Sequence, residues 1–257
     1  MFQVCLPVSH LIEKGSPAVR ELAAGADVLE LRKPVNPEHL PEKPKIFHWG
    51  YGPVQDEFIP AFKKQGLADF LSETETDLFS FDLGPACRNS HFVLPLSRTL
   101  SRKEIIDRSA ASLEVVRKAY AGPLAAENYN YYPTGLYEHI CRPDFMAEYL
   151  EELNLGLVLD VAHAVISAVN MKLEPMKYIS ELPLDRVAEV HISRPFLHPC
   201  LAVDAHLAPN NEGFDLLTLI LDRLPQNKSI PVAIEYYRDL KRLTQSYHRL
   251  RRLLNGS

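Results

Sequence analysis

Eight short β-like runs alternate with amphipathic helical stretches, and this alternation constrains the fold more than any other feature of the chain. Strands that alternate with helices indicate parallel pairing, because a helix carries the chain back between neighbouring strands. A closed barrel of eight such units needs about 250 residues, and the chain has 257. The pattern therefore predicts a single (β/α)8, or TIM, barrel over residues 1–257. Its predicted strands are residues 2–8, 27–31, 45–49, 77–83, 124–128, 156–161, 187–192 and 231–236.

Several helices have recognisable boundaries in the sequence. Ser101 and Glu104 have the spacing of a capping box, in which each side chain satisfies the backbone N–H of the other residue. Pro143 suits the first turn of another helix. Residues 239–254 form a basic amphipathic stretch. We interpret this stretch as a helix with a solvated outer face, and a docking face for an acidic partner is the alternative.

Polar side chains stand at or just after the carboxyl ends of six predicted strands. A barrel gathers these ends on one face, where enzymes of this fold carry their active sites. A lone histidine there is often a hydrogen-bonded structural residue, and a lone aspartate is often a helix cap. The set is informative because so many imidazoles and carboxylates share one face. It comprises His48, Asp82, Glu127, Asn128, Asp160, His163, His191, Asp204, His206 and Glu235.

Such a concentration of acidic and imidazole groups predicts bound metal. Buried carboxylates are unfavourable unless they are paired or bind a cation. Ligation by His, Asp and Glu without thiolates is typical of iron, manganese or zinc, and a glutamate at a strand end can bridge two ions. The spacing of Asp160 and His163, and of His191, Asp204 and His206, argues against coincidence.

These spacings resemble the metal sites of endonuclease IV and of the xylose isomerase-like TIM barrels. The chain more closely resembles the multinuclear non-heme iron-dependent oxidases (the MNIO family), which modify ribosomally made peptides and include the methanobactin-type oxidases. A stretch from His91 to Ser97 decides between them, because a generic endonuclease lacks it. The other matching stretches are Glu127-Asn128, Leu159-Asp160 with residues 165–170, Glu189-Val190-His191 and Val203-Asp204-Ala205-His206.

The resemblance implies two or three iron ions, with zinc or manganese as alternatives, and O2 as co-substrate. The implied substrate is a ribosomal precursor peptide, oxidised at cysteine with rearrangement or carbon excision and gripped by a small peptide-recognition partner protein. The implied catalytic residues are Glu127, Asp160 and Asp82. The implied substrate contacts are Arg32, Asn128, His91 and Asn170. The implied metal ligands are His48, Glu127, Asp160, His163, His191, Asp204, His206 and Glu235.

Three positions depart from the family pattern. Asp82 stands where the family has a histidine ligand, and His163 stands where the family usually has asparagine. Asp82 therefore either replaces an imidazole ligand or marks the loss of one metal. Arg32 occupies a third position where the family has histidine, and it offers a cation for a substrate carboxylate.

Two other metal-dependent activities fit the same residues. A sugar isomerase or epimerase would use one or two divalent ions, with Glu127 and Glu235 as paired carboxylates for proton transfer. An endonuclease IV-like phosphodiesterase would hold three zinc ions. The formal net charge of −5 argues against nucleic acid, because DNA-binding surfaces are usually basic. That argument is weakened by Glu127, Asp160, Asp204 and Glu235, whose four charges lie at the predicted pocket.

The remaining composition predicts a cytoplasmic protein without a membrane partner. The four cysteines form no CxxC pair, which indicates reduced thiols rather than disulfides or a zinc ribbon. The N-terminus lacks a basic-then-apolar signal. The longest apolar stretch, residues 155–171, is interrupted by Asp160 and His163, so we expect no membrane-spanning segment.

Overall fold

Eight parallel strands close into a barrel in the computed structural model, which describes residues 1–8, 17–35, 41–88 and 98–256. The first seven strands pair in chain order, the seventh pairs with the last, and the last closes on the first. This topology confirms the predicted TIM barrel. The barrel strands are β1 (Phe2–Val8), β2 (Val28–Leu31), β3 (Lys45–Trp49), β4 (Leu78–Asp82), β5 (Leu124–Glu127), β6 (Gly156–Asp160), β7 (Val187–Ile192) and β10 (Ile230–Ile234).

The helices begin where the sequence signals place them. The capping box at Ser101 and Glu104 is present, with both reciprocal hydrogen bonds formed, and Pro143 opens its helix. No helix within the described ranges combines the length and the apolar character needed to cross a membrane. The helices are α1 (Pro17–Gly25), α2 (Phe58–Lys64), α3 (Leu67–Glu73), α4 (Arg102–Ala119), α5 (Pro143–Glu152), α6 (Val161–Asn170), α7 (Pro175–Glu181), α8 (Asn211–Leu221) and α9 (Leu240–Leu254), with a 3-10 turn at Leu184–Arg186.

The inner face of the barrel changes from apolar to polar along each strand. Side chains two residues apart share a face of a strand, so Ile46 and His48 both point inward from β3. Val158 and Asp160 repeat this step on β6. The polar residues are therefore gathered at the carboxyl ends of the strands. The apolar layer beneath them consists of Cys5, Val28, Ile46, Leu78, Ala125, Val158 and Ala233.

An irregularity between β6 and β7 sets which residues of β7 face inward. Leu157 pairs with Val187, but Val158 pairs with Glu189, so the register slips by one residue at Ala188. Because Val158 points into the barrel, its partner Glu189 does so as well, and His191 follows two residues later.

An antiparallel hairpin follows β7 and is absent from the elements that we predicted. It consists of β8 (Arg194–Leu197) and β9 (Ala202–Leu207). Phe196 and Leu197 are exposed. Both strands contain polar residues, so neither has the near-continuous apolar run that marks a barrel strand. This hairpin carries two of the predicted metal ligands.

Candidate metal centre

The eight side chains predicted as metal ligands lie together at the carboxyl ends of the barrel strands. Five of them are at most 2% exposed, and the other three extend from this buried group towards the hairpin. The sequence therefore identified a set of residues that the fold does bring together. The five buried members are His48, Glu127, Asp160, His191 and Glu235.

Glu127 lies at the centre of the buried group. Its Oε1 is 2.9 Å from His191 Nδ1 and its Oε2 is 3.4 Å from His48 Nε2. Glu127 and His191 thereby belong to two overlapping sets of potential ligands. Within each set, the ligand atoms all lie within 4.8 Å of one another. The first set adds His48. The second adds Asp160 and Glu235.

Asp160 serves the fold with one carboxylate oxygen and leaves the other free. Its Oδ1 caps helix α6 by accepting the backbone N–H of His163 at 2.6 Å. Its Oδ2 is buried and has no hydrogen-bond partner in the described part of the chain. The amide of Asn128 fixes Asp160 by bonding its backbone N–H and carbonyl at 2.9 and 3.0 Å. An anionic oxygen that is buried and unpartnered is what a metal site requires.

Three residues extend the group outward through the hairpin. Asp204 Oδ2 is 3.5 Å from His163 Nε2, and Asp204 Oδ1 is 3.1 Å from His206 Nδ1. His206 Nε2 is also 3.2 Å from Glu235 Oε2, which joins the outer group to the inner one. His206 has a positive φ of 41°, an uncommon conformation for a residue other than glycine.

Hydrogen bonds orient the imidazole rings towards the centre. The Nδ1–H of His163 donates to the Asn128 carbonyl at 2.9 Å, so Nε2 faces Asp204 and is the nitrogen that a metal would use. His48 Nδ1 lies 2.9 Å from Ser80 Oγ, and its Nε2 faces the carboxylates. Partners of this kind fix the tautomer of a metal-binding histidine.

The charges of the buried carboxylates depend on their neighbours. Burial raises the pKa of Asp160 to about 7, and the charges of Glu235 and Glu127 add to this effect. Burial also disfavours ionised Glu127, but nearby imidazoles, His48 foremost, outweigh it and lower the pKa of Glu127 to about 2. Because metal ligands must be deprotonated, a bound cation would displace the shared protons.

The outer imidazole is held in its charged form. Burial alone would lower the pKa of His206, but hydrogen bonds to Asp204 and Glu235 outweigh burial and raise it to about 10. Hydrogen bonds from His163 and His206 lower the pKa of Asp204 despite burial. In the metal-free protein, protons on the imidazoles therefore balance the carboxylate charges that bound metal ions would otherwise balance.

Asp82 contacts the inner group and lines a small cavity. Its Oδ1 lies 3.1 Å from His48 Nε2, so the Asp82 carboxylate is close enough to share an ion with His48. Burial raises the pKa of Asp82. The adjoining cavity has a volume of about 220 Å³. Its other lining residues are Gly50, Gly52, Gln55, Gly84, Pro85, Tyr129 and Tyr137.

Two separate cavities open at the two ends of the barrel. The cavity of about 420 Å³ lies at the amino ends of the strands, between Gln3, Ile46 and Pro231, on the side away from the predicted ligands. The cavity of about 220 Å³ is the one that adjoins Asp82. Of these two cavities, the smaller one therefore offers space beside the candidate metal centre.

The four predicted substrate contacts have different surroundings. Arg32 forms ion pairs with Glu30 and Glu235, so its guanidinium neutralises carboxylates within the barrel. Asn128 and Asn170 use their amides on backbone groups of other elements. His91 lies outside the described residues. A direct contact of any of the four with substrate stays a prediction.

Two buried carboxylates near the centre were missed by the sequence analysis. Glu30 and Glu189 are fully buried, and each lies 3.4 Å from His191 Nε2. The prediction of site residues from the sequence rests on the carboxyl end of each strand, and these two glutamates lie deeper in the barrel. The alternation of side chains would have found Glu189, which precedes His191 by two residues and so shares its face.

The fold and the site together define a TIM barrel whose carboxyl-terminal mouth carries a buried cluster of imidazoles and carboxylates able to bind metal. Residues 57–255 match the family model described as "RiPP precursor modification enzyme MbnB/TglH/ChrH". The chain belongs to this family, which confirms the resemblance drawn from the sequence motifs. The family modifies the precursors of ribosomally made peptides, and this membership indicates an enzyme.

Curated relatives match part of the chain. A UPF0276 protein of Caulobacter vibrioides is 27% identical over 121 residues, which cover 47% of this chain and 42% of the relative. A UPF0276 protein of Acaryochloris marina is 24% identical over 152 residues, covering 59% of this chain and 54% of the relative. The chain therefore spans about half the length of the curated relatives it matches.

Solved structures share the fold at low sequence identity. The chain is similar to the 3-keto-D-glucoside 4-epimerase YcjR from E. coli, with a TM-score of 0.66 and 17% identity over 99% of this chain and 100% of the epimerase. It is also similar to endonuclease IV from Thermus thermophilus, with a TM-score of 0.65 and 14% identity over 100% and 99% of the two chains. These likenesses support the TIM-barrel assignment.

Proposed function

We propose that the protein is an iron-dependent oxidase that uses O2 to modify a cysteine-containing precursor peptide. The observation that carries the proposal is the position of Glu127, whose two oxygens face different imidazoles, His191 at 2.9 Å and His48 at 3.4 Å. A carboxylate shared by two ligand groups is suited to bridge two ions. Membership of a family that modifies ribosomally made peptides supports the substrate class.

The residues present fit two or three ions. Oxygen and nitrogen ligands without thiolates suit iron, manganese or zinc. Asp160 Oδ2, which has no hydrogen-bond partner among the described residues, is available to a cation. When bound, the ions would supply a binding site for the substrate thiolate and the redox chemistry with O2. One ion would be held by His48, Glu127 and Asp82, a second by Glu127, Asp160, His191 and Glu235, and a third by His163, Asp204 and His206.

The chain itself provides a place for the reacting residue of the peptide. The cavity beside Asp82 is lined by three glycines, so substrate can approach the backbone closely. The rings of Tyr129 and Tyr137 stack with centroids 6.1 Å apart and form a rigid wall. Asp82 faces both the cavity and His48, and it would orient the substrate against the centre.

A cavity of about 220 Å³ admits only a short part of a peptide. The rest of the precursor must therefore be held elsewhere, and we propose that a small peptide-recognition partner protein holds it. We further propose that residues 1–257 act as a single domain in the cytoplasm, where ribosomal peptides are made.

Metal analysis and peptide conversion test the proposal together. Protein purified without oxygen and loaded with ferrous iron should contain more than one iron per chain. With O2 it should change the mass of a cysteine-containing precursor peptide, supplied with its partner protein. His191→Ala should lose iron and conversion. The matched control is His248→Ala, an exposed histidine on α9, which should keep both.

Two results would contradict the proposal. Full iron content in His191→Ala would show that the metal binds elsewhere. Stoichiometric zinc together with cleavage of abasic DNA would assign the chain to phosphodiester hydrolysis instead.

A divalent-metal sugar epimerase is the second candidate. Glu127 and Glu235 lie 2.9 and 3.4 Å from the same nitrogen of His191, so two carboxylates flank one ligand group, as proton transfer on both faces of a sugar requires. Turnover of a ketohexose by the manganese-loaded protein, without peptide oxidation by the iron-loaded protein, would favour this candidate.

A further inference from the structure

A second group of potential ligands lies inside the barrel, beneath the candidate metal centre. Cys5 on β1, Glu30 on β2 and Glu189 on β7 each expose at most 1% of their surface. Their ligand atoms all lie within 4.8 Å of one another. Ala233 occupies the strand between β1 and β7, and its register partners are Cys5 and His191. The small alanine side chain leaves the thiol and the carboxylates facing one another.

Most polar atoms of this group have no hydrogen-bond partner. Both oxygens of Glu30 and both oxygens of Glu189 are buried without one among the described residues. Arg32 forms an ion pair with Glu30, but its guanidinium also contacts Glu235 in the centre above. Within the part of the chain that the structure describes, the ion-pair contact of Glu189 is with the ring of His191. Two buried carboxylates with so little compensation indicate that a positive charge belongs among them.

His191 provides an independent indication of a ligand. Its Nδ1 faces Glu127 and Glu235 in the candidate metal centre. Its Nε2 points the other way and lies 3.4 Å from both Glu30 Oε2 and Glu189 Oε1. No residue that the structure describes forms a hydrogen bond of good geometry with this buried nitrogen. The ring therefore presents one nitrogen to each group.

We propose that Cys5 Sγ, Glu30, Glu189 and His191 Nε2 form an additional transition-metal site within the barrel. One sulfur, one nitrogen and two carboxylate oxygens suit zinc or ferrous iron in tetrahedral coordination. The ligands of such an ion lie roughly 3.3–3.8 Å apart, so the group needs little contraction. Binding releases the thiol proton of Cys5 and the Nε2 proton of His191 to solvent. The imidazole of His191 joins this site to the candidate metal centre. The proposed site does not depend on which reaction that centre catalyses.

The thiol separates this proposal from a simpler role for the carboxylates. Glu30 and Glu189 could orient His191 by accepting a hydrogen bond from its Nε2, and a role of that kind would not involve Cys5. A metal bound to Cys5 has a spectroscopic signature, because a thiolate ligand gives Co2+ an intense charge-transfer absorption in the near ultraviolet.

Titration of the metal-free, full-length protein with Co2+ and without peptide tests the site. We expect the thiolate–cobalt absorption to rise to saturation. Cys5→Ser should abolish it and lower the cobalt content by one ion per chain. Cys141→Ser is the matched control, because Cys141 is equally buried but bonds the Tyr129 carbonyl, and it should keep both the absorption and the cobalt content. Glu189→Gln should also lose one ion.

A saturated wild-type protein without this absorption, or a Cys5→Ser variant with unchanged absorption and cobalt content, would overturn the proposal. If Cys5→Ser fails to fold, X-ray absorption spectroscopy of the zinc-loaded wild-type protein tests the site instead. We expect a sulfur ligand to zinc, and the absence of one would refute the site. Peptide oxidation is measured separately. Loss of oxidation with the cobalt absorption intact would refute the proposed function alone.

Discussion

At the scale of single residues, Asp160 shows how one side chain serves both the fold and the site. Its Oδ1 caps α6, while its buried Oδ2 is left for a cation. The two oxygens therefore make separable contributions, one to the start of a helix and one to the binding of metal.

Asp160→Asn separates the two contributions. Asparagine caps helices as well as aspartate does, so α6 should remain intact. The loss of the anionic ligand should weaken metal binding by at least tenfold, the effect expected even for groups that merely support a ligand. Metal content after dialysis, with circular dichroism of the same samples, checks both parts. Asp215→Asn, an exposed position on α8, should keep the wild-type metal content, and equal metal in the Asp160 variant would remove Asp160 from the site.

His206 should give the metal-free protein a characteristic dependence on pH. Its pKa is raised from 6.5 to about 10 despite burial, by hydrogen bonds to Asp204 and Glu235. A raised folded-state pKa stabilises the protein fully below pH 6.5, and this stabilisation is lost as the pH rises from 6.5 to about 10. The contribution is on the order of 1–2 kcal/mol, because a third of the ring is exposed and solvent screens the ion pairs.

Urea unfolding with chelator present, at several pH values, measures this contribution. His206→Asn should flatten the decline in unfolding free energy across that interval, and asparagine tolerates the positive φ at this position. An equally steep decline in the variant would mean that another group titrates.

At the scale of elements, the hairpin β8–β9 depends on one asparagine for its position. Asn170, at the end of α6, accepts the backbone N–H of Ala202 at 2.8 Å and donates to the Ala202 carbonyl at 3.0 Å. It also donates to the Tyr131 carbonyl at 2.8 Å. The side chain thus ties the start of β9 to a helix and to the loop after β5.

Asn170→Ala should loosen the hairpin and with it Asp204 and His206. We expect weaker binding of the outermost metal, by about tenfold, while the buried ligands keep their ions. A metal titration monitored by calorimetry separates the metal sites by their affinity. Asn211→Ala removes an exposed bond to Arg249 and serves as the control. Equal weakening of every class of site would show that the hairpin does not act on its own.

The elements also show which parts of the protein could be predicted from sequence. The barrel strands could be located to within one or two residues, since burial on both faces requires apolar runs. The hairpin could not, because Phe196 and Leu197 are exposed and its strands carry no such run. Most site residues followed from strand ends, but Glu30 and Glu189 lie deeper in the barrel and were overlooked. Alternation with His191 places Glu189 on the same face, but the register slip that pairs Glu189 with Val158 depends on contacts between strands and cannot be read from one sequence.

At the scale of the whole molecule, the candidate centre joins distant parts of the chain. Its eight predicted ligands come from strands β3, β5, β6, β7 and the hairpin, from the start of α6 and from the residue after β10. Ions bound among them would therefore connect segments nearly 190 residues apart. Ligands that assemble only in the folded chain bind metal only there, so metal binding contributes directly to stability.

Removal of metal should lower the melting temperature of the whole chain in one step. An ion present at a thousand times its dissociation constant stabilises the fold by about 4 kcal/mol, which corresponds to roughly 8–16 °C for a chain of this size. The single tryptophan, Trp49, is buried beside His48, so its fluorescence reports on the barrel while far-ultraviolet circular dichroism reports on the helices. Both signals should change at the same temperature, with and without chelator. Two separate transitions would show that the metal stabilises only part of the molecule, and would contradict a single cooperative domain.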